Sequence, residues 1–468
     1  MSNRTLVIKF GGTSVGNAAA IAQAAEIVRD ERKAWPQVTV VVSAMSGVTD
    51  TLLQGAQAAA RGDREEAGRI ANQLKQQHLE AAHGLIESEI ERSAILDRIE
   101  HRLREFDSLC DALAVLGEAT PRALDAVASL GERMSHHLVA GRLQQIGVPA
   151  QAVNATEVIR TDGVFQAAAP LMDATRLQAL RRLSGLFAEG IVPVVTGFIG
   201  ATESGILTTL GRGGSDYSAA IMGAALDCAE VWIYTDVDGV MSADPRVVDD
   251  ARSLATLSYR EMSELAYFGA KVLHPKAILP VVERGIPLRI KNTFNPTHAG
   301  TLVLAESNDA HGALKAVTAI KQQGLITIEG RGMLGVPGIA ARAFGAVART
   351  RTSVPMISQA SSEQSICFLV PDSAAEHVQT ELRSEFEREL ARRDIETIWA
   401  MNQVVIVTAV GTAMQTTPGV AGRIFSALGA AGINIIAIAQ GSSECSISLV
   451  VDATDADEAV RRIHALIE

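Results

Sequence analysis

Cysteine is scarce and scattered in this chain of 468 residues. Cys110, Cys228, Cys367 and Cys445 stand far apart, with no C-x-x-C and no histidine at metal-ligand spacing. That excludes a zinc site and suits a reducing cytoplasm. Positive charge is in deficit: 42 Lys and Arg face 53 Asp and Glu, a net charge of -11. Nucleic acid or an anionic membrane surface is therefore not expected as a partner. An anionic substrate would have to be held by local cations, against the overall field. No apolar run approaches membrane-spanning length, and the N-terminus has no basic region leading into an apolar core, so neither an anchor nor a secretion signal is expected. The Walker pattern G-x-x-x-x-G-K-[ST] is missing too, so a nucleotide site would be of another kind.

What is present is the composition of an ordinary globular protein, 47% hydrophobic and 20% charged, long enough for two or three domains. Thr5 to Ile8 reads as a short buried strand and breaks into Lys9-Phe10-Gly11-Gly12-Thr13-Ser14. Two glycines permit a tight turn and a close approach of backbone N–H groups to a ligand. Helical spacing from Ala18 to Val28 predicts that this loop feeds a helix N-terminus, a natural phosphate site, with the Lys9 ammonium at the strand end. An ordinary strand-to-helix turn with an exposed lysine is the plainer alternative.

Val38 to Val42, Ile191 to Thr196, Val231 to Thr235 and Pro287 to Ile290 read as further short strands, and roughly Thr51 to Gln145 as helical. Strands separated by helices predict a mostly parallel sheet covered on both faces, with ligands at the carboxyl ends of its strands. Past Gly300 an internal repeat appears. Gly330, Met333, Pro337-Gly338, Arg342 and Phe344 recur 81 residues later as Gly411, Met414, Pro418-Gly419, Arg423 and Phe425. Gln359, Ser361-Ser362-Glu363 and Ser365-Ile366 recur at the same offset as Gln440, Ser442-Ser443-Glu444 and Ser446-Ile447. Each unit reads strand, Pro-Gly turn, helix, strand, polar turn, strand, with Pro in the first helical turn. A paired ligand-binding module or a duplicated structural unit would both fit.

Further clusters carry chemistry. Thr208-Thr209-Leu210-Gly211-Arg212-Gly213-Gly214-Ser215-Asp216 precedes a helical run, and Arg212 could grip a carboxylate bidentately. Thr235-Asp236-Val237-Asp238-Gly239 follows a strand, where acidic residues suit ribose hydroxyls or a metal, and Asp244-Pro245-Arg246 comes soon after. Lys271-Val272-Leu273-His274-Pro275 supplies a second lysine, and Gly131-Glu132-Arg133-Met134-Ser135 lies in a helical context.

Together with Ser43 to Thr49, these six ordered motifs resemble the aspartate kinases of the amino acid kinase family, and the resemblance spans essentially the whole chain. It implies an α/β chain: a three-layer αβα sandwich kinase domain at 1–305, then two α+β ferredoxin-like ACT domains at 324–397 and 398–468. The second of these would be completed by a strand at 313–322. It further implies conversion of L-aspartate and MgATP to 4-phospho-L-aspartate and ADP, the first step toward lysine, threonine and methionine. The roles it implies are Lys9, Asp216 and Lys271 as catalytic residues, with Glu132 on the substrate ammonium, Arg212 on its α-carboxylate, and Ser43, Thr49 and Ser215 lining the pocket. ATP would meet Lys9, Gly11, Gly12, Thr235, Asp236, Met241, Arg246, Lys271 and Val272, and Mg2+ would be held through ATP rather than by protein ligands. Relatives often carry tyrosine at Met241; methionine can still pack on a flat base but cannot donate a hydrogen bond.

Motifs around Tyr267-Phe268-Gly269 and Ile435 to Glu444 look closest to the kinase half of threonine-sensitive aspartokinase–homoserine dehydrogenases. By that resemblance Gln359 and Gln440 would contact an allosteric threonine. Lysine-sensitive relatives have aspartate where this chain has Pro355, so threonine is expected over lysine. Because the chain stops at Glu468 with no second G-x-G-x-x-G unit, no reductase activity is expected. The family's ACT pairs usually associate between chains, so a cytoplasmic homo-oligomer is expected. Two rival readings stand beside this: a kinase for another acidic amino acid, and a catalytically silent amino-acid sensor.

Overall fold

The computed structural model describes residues 5–269, 273–306, 314–359, 364–412, 414, 417–440 and 445–467. Two compact units emerge: residues 1–240, 253–259 and 272–306 form one, and 241–252, 260–271 and 307–468 the other. The division is thus not a single cut near residue 305.

The first unit opens with β1 (Thr5–Phe10), α1 (Ala18–Glu31), β2 (Gln37–Val42), α2 (Val48–Ala60), α3 (Arg64–Leu85), α4 (Glu89–Leu116), α5 (Pro121–Ala128), α6 (Leu130–Gln145) and β3 (Ala150–Val153). It continues through α7 (Met172–Ala188), β4 (Val192–Thr196), β5 (Ile199–Ala201), β6 (Leu207–Thr209), α8 (Gly214–Leu226), β7 (Glu230–Thr235) and β8 (Thr256–Ser258). After α9 (Tyr259–Tyr267), most of which groups with the second unit, come α10 (Leu279–Val282), β9 (Leu288–Asn292) and β10 (Thr301–Leu304). Eight strands form one sheet in the order β3-β4-β2-β1-β7-β9-β10-β8, parallel except for β9 against β10. β5 and β6 make a separate hairpin.

The central strand β1 is β-branched and aliphatic, and its pleat sorts its side chains. Leu6, Ile8 and Phe10 join the core built by α1 to α4 and α6. Val7 and Lys9 take the opposite face, toward α8. Because β2 and β7 flank β1 in parallel, the carboxyl ends of all three lie side by side.

The second unit holds β11 (Leu314–Glu329), α11 (Ile339–Arg349), β12 (Ile357–Gln359), β13 (Ser365–Pro371), α12 (Asp372–Glu385), α13 (Glu387–Arg392), β14 (Thr397–Gly411), α14 (Val420–Ala430), β15 (Ala437–Ala439), β16 (Ser446–Asp452) and α15 (Ala456–His464). Its sheet is antiparallel, ordered β12-β13-β11-β14-β16-β15. The 81-residue offset reappears in α11 and α14, whose N-caps Gly338 and Gly419 both adopt left-handed backbone (φ 94 and 89). Pro337 and Pro418 therefore precede the cap, which corrects the reading that put them in the first helical turn. The repeat also carries helices that its sequence pattern did not announce, α12 after β13 and α15 after β16.

The two long strands β11 and β14 bulge where Gln322 and Gln403 turn left-handed (φ 60 and 59). Before its bulge β11 pairs with 406–411; after it, with 397–401 on one side and β13 on the other. Leu325, Met356, Leu369, Val404, Ile406 and Val450 share one apolar cluster. The outermost strands β12 and β15 also meet, where the Ser358 hydroxyl donates to the Ile438 carbonyl at 3.1 Å. Ala316 to Ile320 thus extends the half of the sheet that carries β14 and β16.

Candidate active site

The carboxyl ends of β1, β2 and β7 supply the first side chains. Lys9 is 8% exposed, and its Nζ lies 2.6 Å from Asp216 Oδ1, an ion pair whose angle falls short of a hydrogen bond. Asp216 occupies the first turn of α8, whose N-cap is Gly213 in left-handed backbone (φ 68). Asp216 therefore faces β1 rather than capping its own helix.

Neither Gly11 nor Gly12 has a positive φ, and Gly12 is helical at φ -56. What these positions require is proximity: a Cβ on Gly11 would stand 3.2 Å from Lys9 Nζ, and one on Gly12 3.4 Å from the Ala44 carbonyl. The Gly11 N–H donates to the Tyr234 carbonyl at 3.2 Å, so it is spent inside the fold; this corrects the expectation that it faces a phosphate. The helix itself begins where its spacing predicts, at Ala18, but not directly after the glycines. A short 3-10 turn, Thr13–Val15, intervenes, and α1 starts after Asn17, whose side chain accepts from the Ala20 N–H. That cap consumes an amide the sequence reading had assigned to a ligand.

Beside β1, the Ser43 N–H donates to the Phe10 carbonyl at 3.1 Å, and the Ser135 hydroxyl donates to the Ser43 carbonyl at 2.7 Å. Gly131 lets α6 lie directly on this loop, since a Cβ there would come within 2.7 Å of Ala44 Cβ. Glu132 is thereby buried beneath the loop, 3% exposed, and its Oε2 has no hydrogen-bond partner among the described residues. Burial pushes its carboxyl up to about 8, only partly offset by hydrogen bonding to the Ala44 backbone. A buried carboxyl with an unused oxygen is built to meet a cation. Thr49 is half-buried in the first turn of α2, and Ser215 is half-buried in that of α8. A Cβ on Gly197 would come within 2.7 Å of Ser215 Oγ. Arg212 is exposed.

On the β7 side, Thr235 donates to Asp236 Oδ1 at 3.1 Å, and Asp236 is exposed. Asp238, one of the acidic residues expected to suit ribose hydroxyls or a metal, has its carboxylate engaged within the fold: it accepts from Asn292 Nδ2 at 2.9 Å and Asn295 Nδ2 at 3.1 Å, tying the ends of β7 and β9 together. Met241 and Arg246 belong to the second unit. There Arg246 pairs with Asp244 at 2.6 Å, and Ser242 hydrogen-bonds His464 Nε2 at 2.9 Å. Lys271 and Val272 lie outside the described residues, as do Ser361 to Glu363 and Ser442 to Glu444. Gln359 and Gln440 are exposed in the second unit. Gln359 borders a cavity of about 320 Å³ together with Met333, Pro337, Gly338 and Ile366.

None of the four cysteines forms a disulfide among the described residues. Among the described residues no helix is long and apolar enough to cross a membrane, and no group of three or more His, Cys, Asp or Glu could hold a metal.

The amino acid kinase family model matches residues 4–292, and an ACT domain model matches 326–386 and 407–466. The chain belongs to the amino acid kinase family, and within it to the aspartokinases with paired ACT domains. Among curated relatives, the bifunctional aspartokinase/homoserine dehydrogenase 1 of Arabidopsis thaliana is 38% identical over 98% of this chain and 50% of its own length. Aspartokinase 3 of the same plant is 33% identical over 98% of this chain and 81% of its own. The chain spans about half the length of the bifunctional relatives it matches. Among solved structures, E. coli aspartokinase III in complex with aspartate and ADP superposes with a TM-score of 0.81 at 30% identity, covering 99% of this chain and 100% of that one.

Proposed function

We propose that the chain transfers the γ-phosphoryl group of MgATP to the β-carboxylate of L-aspartate, giving 4-phospho-L-aspartate and ADP. The observation that carries this reading is the pairing of a buried, ion-paired lysine at the end of β1 with a buried glutamate whose oxygen lacks a partner. One suits a phosphoryl group and the other an ammonium. The complex of E. coli aspartokinase III with aspartate and ADP supports the same pair of ligands.

A free β-carboxylate titrates near ~3.9 and is ionised at neutral pH, so no general base is needed. A carboxylate oxygen bonds to the γ-phosphorus as the bond to the β–γ bridging oxygen breaks and ADP leaves. Catalysis then reduces to alignment and to shielding the charge that repels the nucleophile. Lys9 supplies that shielding, held in place by Asp216, with Lys271 as its counterpart and the Gly12 backbone beside it. Arg212 grips the α-carboxylate, Glu132 receives the α-ammonium, and Ser43, Thr49 and Ser215 line the pocket. Thr235, Asp236 and Val272 serve the nucleotide, and Mg2+ arrives on ATP.

Trapping the acyl phosphate with hydroxylamine, with aspartate and glutamate compared, tests the substrate. Hydroxamate should form from aspartate; turnover of glutamate alone would sink the reading.

For the effector we favour threonine. The described residues that line the cavity beside Gln359 include no acidic side chain to receive a lysine ammonium, and position 355 is proline. The lysine-bound structure of E. coli aspartokinase III keeps lysine as the second candidate. Gln359→Ala should raise the threonine concentration for half-inhibition about tenfold with uninhibited turnover unchanged. Inhibition by lysine but not by threonine would reverse the assignment. Association of ACT domains between chains and a cytoplasmic location complete the proposal; four cysteines without a disulfide among the described residues accord with a reducing compartment.

A further inference from the structure

Asp125 sits on α5, outside every motif named above, and is 1% exposed. Its carboxylate is fully used. Oδ1 accepts from the Thr209 hydroxyl at 2.8 Å, and Oδ2 accepts from the Thr209 N–H at 2.9 Å. The Gln166 N–H is shared between both oxygens at 3.1 Å. Burial raises this carboxyl above its ordinary range, and those hydrogen bonds work in the opposite direction.

The groups it collects are distant in sequence. Gln166 is held in left-handed backbone (φ 66), a strained state for a non-glycine residue. Thr209 ends β6, three residues before Arg212. The same stretch is fixed at neighbouring points: the Ala168 N–H donates to the Thr209 carbonyl at 2.9 Å, and the Leu210 N–H donates to the Phe198 carbonyl at 2.9 Å. Gly211 (φ 79) then passes so near the Gln166 carbonyl that a Cβ would come within 2.9 Å. Arg212 itself is exposed and hangs from this braced loop.

We infer that Asp125 is a positioning residue for the substrate: by clamping Gln166 to Thr209 it sets where the Arg212 guanidinium meets the α-carboxylate. The clamp works through hydrogen-bond geometry, and its negative charge is dispensable. An asparagine at 125 can point Oδ1 at both backbone amides and Nδ2 at the Thr209 hydroxyl, which rotates to accept. Alanine instead strands the buried Thr209 N–H and releases the Gln166 N–H from the side chain that anchors it. The inference rests on the proposed aspartate reading for its kinetic consequence, but the bracing of the loop can be read without any turnover.

Asp125→Ala and Asp125→Asn in the full chain therefore form the test, with two readouts. Trypsin cleavage after Arg212 should accelerate about tenfold in Asp125→Ala and stay within about threefold of wild type in Asp125→Asn. In kinetics, Asp125→Ala should raise KM for aspartate about tenfold while KM for MgATP stays within about twofold, and Asp125→Asn should restore the aspartate KM. L-aspartic acid α-amide, which lacks the α-carboxylate, should lose nothing on going from wild type to Asp125→Ala. Wild-type cleavage and wild-type aspartate KM in Asp125→Ala would overturn the inference, and so would an Asp125→Asn variant as impaired as alanine. A wild-type chain inert toward aspartate would defeat the functional reading, while the proteolysis would still decide the clamp.

Discussion

Replacing Lys9 by alanine should lower turnover about a thousandfold, the scale for losing a preorganised charge at a transferring phosphoryl group, with KM for aspartate nearly unchanged. The reason lies in what surrounds this ammonium. It is buried at the end of the central strand and held 2.6 Å from Asp216, with Gly11 close enough that a Cβ there would stand 3.2 Å from it. Such a charge needs no rearrangement when negative charge moves between ATP and the substrate. Gly11→Ala is the graded companion: a Cβ 3.2 Å from Nζ must displace the ammonium by a few tenths of an ångström, and its turnover should fall between wild type and Lys9→Ala. Because Lys9→Ala also leaves Asp216 without its counter-charge, Lys9→Ala with Asp216→Asn separates a folding defect from a chemical one. The double variant should recover thermal stability without recovering turnover. Turnover within threefold of wild type in Lys9→Ala would remove Lys9 from the mechanism.

The second large effect is in pH. Burial holds the Glu132 carboxyl at about 8 in the ligand-free chain, so at neutral pH it is mostly protonated, and only its ionised form suits an ammonium. Aspartate binding must therefore expel a proton. KM for aspartate, with MgATP saturating, should fall by roughly one decade per pH unit from pH 6 toward 8 and level off above. Calorimetry in buffers of different ionisation enthalpy should register close to one proton released. Stability runs the other way. With a folded value above the unfolded 4.5, the protonated group's contribution is fully present below 4.5 and lost as pH rises through 8. The ligand-free chain should accordingly melt at lower temperature at pH 8 than at pH 5, and aspartate should narrow the gap. Glu132→Gln should flatten both profiles and raise KM. A flat KM profile in wild type would mean that Glu132 is already ionised and meets some other partner.

Much of this was legible from local pattern. β1, β2, β4, β7 and β9 were announced by β-branched runs bounded by glycine and polar residues, and the 81-residue repeat located α11 and α14 and the pairs β12–β13 and β15–β16. What escaped the sequence depends on contacts between distant residues. Nothing near Gly11 says that its amide will be taken by Tyr234, because that follows from the parallel pairing of β1 with β7. The helix cap at Asn17 and the intervening 3-10 turn are local, but the glycines masked them by offering a simpler turn. Asp125 shows no motif at all; its meaning is created by Gln166 and Thr209, 41 and 84 residues away. Met241 and Arg246 read as one site with Thr235 and Asp236, yet they belong to the second unit because Ala243 and Val248 are apolar and join the core of the second repeat.

The central claim is that an already ionised β-carboxylate attacks the γ-phosphorus, and oxygen tracing tests it directly. Aspartate carrying 18O in its β-carboxylate is incubated with the chain, MgATP and hydroxylamine, and the released inorganic phosphate is examined by 31P NMR. Hydroxylamine attacks the acyl carbon and expels phosphate with the bridging oxygen, so the phosphate should carry one 18O atom per turnover. Unlabelled phosphate, the signature of water attacking ATP, would contradict the account.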